Sequence, residues 1–245
     1  MRELLLWVRD QLAEASSAPR YMQLASLLES EIGRRKALAG QFLPAERLIA
    51  QQLGLSRVTV SRSLSLLEEK GLIVRQQGVG TRVTQRLNYA LSAEDEGFTA
   101  LVLKQGGIAG SLWLDKVIQV PPAAIAEKMS LSEGEAVTYL RRVRLSNGEP
   151  VSLETTWIPQ KFLPDPEALE QSLYQYWVSR GIAPDKKRYR FKAIACAAEI
   201  AARLGTVVGT PLLYCQLYVY NEQGELLEYS EAHCRSDVYE IQFAD

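Results

Sequence analysis

The chain has 245 residues, 47% of them hydrophobic and 23% charged; this globular balance excludes wholesale disorder, a collagen-like repeat and a coiled-coil rod, and the length suits two domains. The net charge of −1 is unevenly spread, with residues 1–90 at +5 and residues 91–245 at −6, as expected of a polyanion-binding module fused to a part with another task. The leading apolar run Leu4-Leu5-Leu6-Trp7-Val8 ends at Arg9-Asp10, well short of the roughly 18 residues that span a membrane, so we expect a soluble cytoplasmic protein with no membrane partner.

Residues 1–18 form an extra amphipathic segment in which Leu5, Val8 and Leu12 share a face, suited to supporting a neighbouring domain or a dimer contact. Pro19 then precedes a predicted helix over 20–36, where Leu24, Leu28 and Ile32 recur every four residues. A second helix starts at Leu43-Pro44-Ala45-Glu46, is expected to bury Leu48, Ile49 and Leu53, and ends at Gly54. Ser56 is placed to cap a third helix that buries Val60, Leu64 and Leu67 and stops at Gly71. Two short helices across a tight turn predict a helix-turn-helix. Leu72-Ile73-Val74 and Thr81-Arg82-Val83-Thr84 follow as strands around a glycine turn, making a two-stranded wing.

The third helix offers Arg57, Val58, Thr59, Ser61, Arg62, Ser63 and Ser65 with no acid before Glu68. Small polar side chains permit close approach to DNA, an Arg can fork onto guanine, and a Val or Thr methyl can touch that of thymine. Arg47, Arg75, Thr81 and the N–H groups at Gly78 and Gly80 are expected to hold phosphates. Any one of these could equally be a solvated charge or a hairpin residue; the ordered set points to double-stranded DNA. Tyr21-Met-Gln-Leu, Leu43-Pro-Ala-Glu-Arg47, Gly54-Leu-Ser-Arg-Val-Thr-Val60, Leu67-Glu-Glu-Lys-Gly71 and Gln77-Gly-Val-Gly-Thr81 closely resemble the winged-helix domain of GntR-type bacterial regulators, over residues 19–84. The resemblance implies DNA contacts at Arg47, Arg57, Thr59 and Gly80, with Ser56 at the helix start. Many members carry Arg where Ser61 stands.

Residues 85–95 lack a sustained period and are expected to be a linker. Beyond them, a helix over 123–129, Gly134 and a strand from 137 recur 75 positions later as a helix over 198–204, Gly209 and a strand from 212, each followed by a second strand. Two helix-hairpin units predict a mainly antiparallel α+β domain with a cleft between them. Between the copies, Glu167 to Arg180 reads as helical.

Arg142 and Arg144 lie two apart on a strand, hence on one face, and Glu154 lies on the partner strand. A two-residue Asn147-Gly148 turn pairs position 142 with 153 and puts Glu154 on the other face; a three-residue turn pairs 142 with 154 and joins the charges. The second register lines a surface of net charge +1, fit for an anion with hydroxyl or amine groups; a solvent-facing salt-bridge ladder has the same periodicity. Tyr139-Leu-Arg-Arg142-Val-Arg144 through Glu154, Ser172-Leu-Tyr174 and Glu228-Tyr-Ser230-Glu-Ala-His-Cys234-Arg235 resemble the UTRA effector domain of the HutC subfamily, over 96–245. That resemblance implies an α+β, chorismate-lyase-like fold and an anion held by Arg142 and Arg144, with Glu154 on the ligand's polar body. It also implies ligand contacts around Gly97-Phe98-Thr99, Ser172, Tyr174, Glu228 and Cys234. Relatives commonly carry Tyr where Cys234 stands, and His233 is expected to be a packed strand residue.

The expected whole is a ligand-responsive repressor: a homodimer on a pseudo-palindromic operator, released by an anionic metabolite such as a sugar phosphate or amino-sugar phosphate, with no cofactor and no metal. Two other classes compete with this reading. A chorismate-lyase-like enzyme shares the fold, but the chain has one histidine, no CxxC among its three cysteines, and no GxSxG, P-loop or dinucleotide fingerprint. For an architectural DNA-binding protein, an acidic, cleft-bearing domain of about 150 residues is superfluous.

Overall fold

The computed structural model describes residues 2–12, 17–35, 38–76, 79–84, 87–91, 97–170 and 172–243. The chain divides after Gln85 into two compact units.

In the first unit, α1 (Arg2–Leu12), α2 (Arg20–Arg34), α3 (Glu46–Leu53) and α4 (Arg57–Glu69) precede a hairpin of β1 (Ile73–Gln76) and β2 (Gly80–Val83). Leu4, Leu5, Val8 and Leu12 of α1 join Leu24, Leu28, Ile49, Val60, Leu64 and Leu67 in one core. The N-terminal segment is thus integral to this unit's packing. Gly54 ends α3 in the left-handed conformation (φ 65°), and the Ser56 hydroxyl accepts from Thr59 N–H at 3.1 Å to start α4. Leu48, expected inside, is exposed: the buried stripe of α3 runs through Ile49, Ala50 and Leu53, and Leu48 lies off it.

The second unit carries a six-stranded sheet of β4 (Ala109–Gln119), β5 (Val137–Ser146), β6 (Glu149–Pro159), β7 (Pro184–Ala195), β8 (Pro211–Asn221) and β9 (Leu226–Arg235). The order is β4-β5-β6-β9-β8-β7, antiparallel throughout. With α6 (Ala123–Met129) and α8 (Ala198–Leu204), the repeat is a strand-helix-hairpin unit used twice, the second copy mirrored in strand order. The two copies do not stand apart: β6 pairs with β9 and makes the sheet continuous, so the cavity they share lies over one face of it, with Glu154 facing Ala232 and Ser152 facing Cys234 across the seam.

The two helices cover one face. There α8 packs its Ala201 and Leu204 on Val143, Leu153 and Leu212, and α6 sets Ile125 and Met129 against Trp157 and Tyr229. The other face is roofed by α5 (Gly97–Lys104), α7 (Leu173–Val178) and a parallel ribbon of β3 (Leu87–Leu91) and β10 (Tyr239–Phe243). Residues 87–91, expected in a linker, are therefore a strand, and their partner at the C-terminal end lies some 150 residues away, beyond the reach of local periodicity. The expected helix over 167–180 is also shorter. A 3-10 turn at Pro166–Ala168 gives way to extended Leu169, and Ser172 then caps α7 through Gln175 N–H at 3.3 Å.

Candidate functional site

On the first unit, Arg47 and Arg57 are exposed and have no side-chain partner among the described residues, and Val58 is 77% exposed. Thr59 and Ser61 are half-buried, and the Thr59 hydroxyl lies 2.8 Å from that of Ser56. The Arg62 guanidinium sits 4.0 Å above the Tyr21 ring, which holds it on α4 without neutralising it. Gly80 has φ 132°, a backbone open to glycine and strained for other residues, and Thr81 is half-buried beside it on the wing. Gly78 lies outside the described residues.

Two expected surface residues turn inward. Ser63 is fully buried and donates to Tyr21 O at 2.8 Å, because its place on α4 faces α2. Arg75 donates to Ser61 O on α4 at 2.7 Å and lies 3.4 and 3.7 Å from Glu46 of α3 and Glu68 of α4, so its guanidinium is partnered within the unit.

On the second unit, a cavity open to solvent lies between the sheet and its roof. It is lined by Gly97, Phe98, Thr99, Arg142, Arg144, Glu154, Ser172, Tyr174, Glu228 and Cys234, which the sequence had scattered over some 140 residues. Arg142 faces Glu154 directly, although the turn has only two residues. Asn147 and Gly148 both take positive φ (52° and 83°), and the register then shifts by one because Val151 is an extra residue between the pairs Leu145–Pro150 and Arg144–Ser152. The Val151 side chain is buried beside Leu87, Phe98, Val102 and Val238, so burial of a methyl-bearing side chain accompanies the bulge. A tight turn plus a bulge reaches the register that a longer turn was expected to supply.

Arg142 Nε and Arg144 Nε both donate to Glu154 Oε2, at 2.7 and 2.8 Å. Arg144 Nη1 also donates to Ser111 Oγ at 3.2 Å. Trp113 lies under the Arg142 guanidinium at 4.7 Å and Phe98 under that of Arg144 at 5.0 Å. Burial would raise the Glu154 carboxyl, but the two guanidiniums overcome it and hold it at about 2. Burial, with Arg144 adding to it, lowers Arg142 to about 10. Glu228 is buried, and its Oε1 accepts from the Ser230 hydroxyl while its Oε2 has no hydrogen bond. Burial pushes it up to about 7, with the charge of Glu154 adding to the rise and the Ser230 bond opposing it. This end of the cavity therefore carries one net positive charge when Glu228 is protonated and none when it ionises.

Gly97 has φ 82°, and a Cβ there would lie 3.1 Å from the Tyr174 ring, so only glycine lets α5 and α7 meet at the rim. Cys234 points into the cavity; His233 faces the other side of the sheet against Tyr214, with ring centroids 5.1 Å apart. The remaining lining was missed in the sequence. Tyr89 sat in the supposed linker, and Tyr239 stacks on it at 6.4 Å while its hydroxyl meets Ser152 at 3.1 Å. Tyr189 and Phe191 of β7, with Leu213, Cys215 and Leu217 of β8, form the far wall. The alternation Arg188-Tyr189-Arg190-Phe191-Lys192 was a readable strand signal.

Together, a helix-turn-helix with a wing and a ligand-sized cavity on a separate unit define a DNA-binding regulator with an effector domain. Residues 20–83 match the model of the bacterial regulatory proteins, gntR family, and residues 104–240 match the UTRA domain. The chain is 31% identical to the HTH-type transcriptional regulator GgaR of Escherichia coli strain K12 over 97% of its length and 95% of that protein. It is 27% identical to the HTH-type transcriptional repressor NagR of Bacillus subtilis, covering 91% of this chain and 93% of that one. The crystal structure of PhnF from Mycobacterium smegmatis superposes with a TM-score of 0.65 at 28% identity, over 90% of this chain and 97% of that one. This chain belongs to the GntR family, in its UTRA-containing form. It is a ligand-responsive transcriptional regulator, and its relatives are regulators and not enzymes. No helix among the described residues is long and apolar enough to cross a membrane.

Proposed function

We propose that this regulator is a repressor that binds a pseudo-palindromic operator as a homodimer and leaves it when a small anionic metabolite, of the sugar-phosphate or amino-sugar-phosphate type, enters the cavity. The observation that carries the reading is the buried pair Arg142 and Arg144 sharing a single carboxylate oxygen. Two guanidiniums against one Glu154 leave a charge that an anion compensates, and taking it from water into that low-dielectric end strengthens the attraction. N–H groups at the start of α5, around Gly97, Phe98 and Thr99, and the Ser172 and Tyr174 side chains, complete the anion end. Glu154 and Glu228 suit hydroxyl or amine groups on the ligand's body. NagR and a fructoselysine utilization operon regulator of Escherichia coli, 28% identical, are both named repressors, which supports the sign of control.

On DNA, Arg57, Val58, Thr59, Ser61 and Arg62 read base edges, while Arg47, Ser56, Gly78, Gly80 and Thr81 hold the backbone. The exposure of Arg47, Arg57 and Val58 leaves them open to DNA. A thermal-shift series with glucose 6-phosphate, glucosamine 6-phosphate and inorganic phosphate tests the site: stabilisation that disappears in Arg142→Ala/Arg144→Ala supports it, and stabilisation that persists moves the anion elsewhere. Operator fragments selected from random DNA, then released by the same compounds, test the sign of control.

A further inference from the structure

The cavity is two-ended, and its register shows how. Across the sheet, one rung runs Trp113, Arg142, Glu154, Ala232, Cys215, Phe191, and the next on the same face runs Ser111, Arg144, Ser152, Cys234, Leu213, Ala193. On these two rungs charge is confined to β5 and β6, and from β9 to β7 they carry alanine, thiol, aliphatic and aromatic side chains; Glu228 and Ser230 of β9 line the cavity beside them. Arg142 and Arg144 lean to Glu154, so the anion end begins at β6, three interstrand spacings from β7. At about 4.8 Å each this is about 14 Å. A compact anion seated on the arginines leaves the β8–β7 end empty.

The wall at that end is flat. The Tyr189 and Phe191 rings lie parallel, 5.9 Å apart and within 6° of coplanar orientation, on the inner face of an edge strand. Cys215 pairs with Phe191 in the adjacent strand and turns a polarizable sulfur to the same space. Ala232, next along the rung, leaves the floor between the two ends shallow enough for a ligand to lie across it.

The geometry points to an effector longer than a simple sugar phosphate: an anion of that type extended at its far end by a planar aromatic ring, laid over Ala232 and Cys215 against Phe191 and Tyr189. This inference rests on the anion reading of Arg142 and Arg144 and adds the chemistry of the other end. Stacking and removal of the ring from water supply the additional affinity.

The test compares 4-methylumbelliferyl phosphate, glucose 6-phosphate and methyl phosphate by titration calorimetry on the full chain. The aryl phosphate is expected to bind at least about tenfold more tightly than the other two. Phe191→Leu, which keeps apolar volume and loses the ring, and Phe191→Ala are expected to remove most of that gain while methyl phosphate binding stays as in the wild type, with unchanged melting temperatures as the folding control. Equal affinity for the aryl and methyl phosphates, or an aryl preference untouched by both Phe191 variants, overturns the inference. Failure of every phosphate to bind, or binding unaffected by Arg142→Ala, overturns instead the anion reading beneath it.

Discussion

Arg142 and Glu154 face each other across β5 and β6 because one extra residue, Val151, follows a two-residue turn. Without the bulge, Arg142 would face Leu153 and the carboxylate would point to the α8 side of the sheet. The charge balance of the cavity thus depends on a backbone irregularity three residues from Glu154.

That balance predicts a pH dependence. Glu228 titrates at about 7 in the folded protein against an ordinary 4.5, so between these values the folded state holds a proton that the unfolded state has lost. Stability therefore falls as pH rises from 4.5 to 7 and is flat above, by a total on the order of 3 kcal/mol. Glu154 acts in the opposite sense: with its pKa held at about 2, its contribution is complete above 4.5 and is lost as pH falls toward 2. Glu228→Gln should match the wild type near pH 4.5, exceed it at pH 8, and show little slope between. Urea denaturation at a series of pH values checks this; parallel curves for the two proteins would refute the assignment.

Breaking the arginine–carboxylate cluster should be costly. Glu154→Gln removes the carboxylate that both buried guanidiniums bond, leaving Glu228 as the one acid among the described residues at that end of the cavity, and we expect a loss of about 3–5 kcal/mol. Phosphate should restore more stability to this variant than to the wild type, since it replaces the missing charge. Melting temperatures with and without phosphate give the comparison.

On the DNA side, two neighbours on α4 should separate reading from folding. Arg57→Ala is expected to weaken operator binding by about 1–3 kcal/mol and to leave binding to random DNA nearly unchanged. Ser63→Ala removes a buried hydroxyl that donates to Tyr21 O, so it should cost about 1–2 kcal/mol of stability with little change in the sequence preference of the folded fraction. Equal losses on specific and random DNA for Arg57→Ala would assign it to phosphate.

Coupling between the two units has a reciprocal signature. An effector that releases DNA must bind the free and DNA-bound forms differently, and typical coupling of about 1–3 kcal/mol gives a 5–150-fold change in operator affinity. Arg142→Ala should bind operator as the wild type does and ignore the effector. Titrations in both directions should return the same factor; ligand binding with no effect on DNA would leave a pocket without a switch.

The helix-turn-helix was legible because its signals are local. Ser56 as a cap, Gly54 with positive φ and the four-residue spacing of Leu24 and Leu28 act within a few residues of where they stand. The likeness of α6–β5–β6 to α8–β8–β9 and the shared face of Arg142 and Arg144 were legible for the same reason: helix and strand periods are set by the backbone. Strand order, the seam between β6 and β9 and the parallel pairing of β3 with β10 were decided only by tertiary packing, since each joins segments whose spacing in the chain carries no periodic mark. The same holds for the inward turn of Arg75 toward Glu46 and Glu68 and for the bulge at Val151, whose side chain is buried by partners from β3 and α5 and by Val238. The resemblance to the UTRA domain marked the charged end of the cavity, since two arginines on one strand fit a solvent-facing ladder as well until the register with Glu154 is fixed. Its aromatic end exists only once β7 has been laid at the far edge of the sheet, where long-range hydrogen bonding and burial put it.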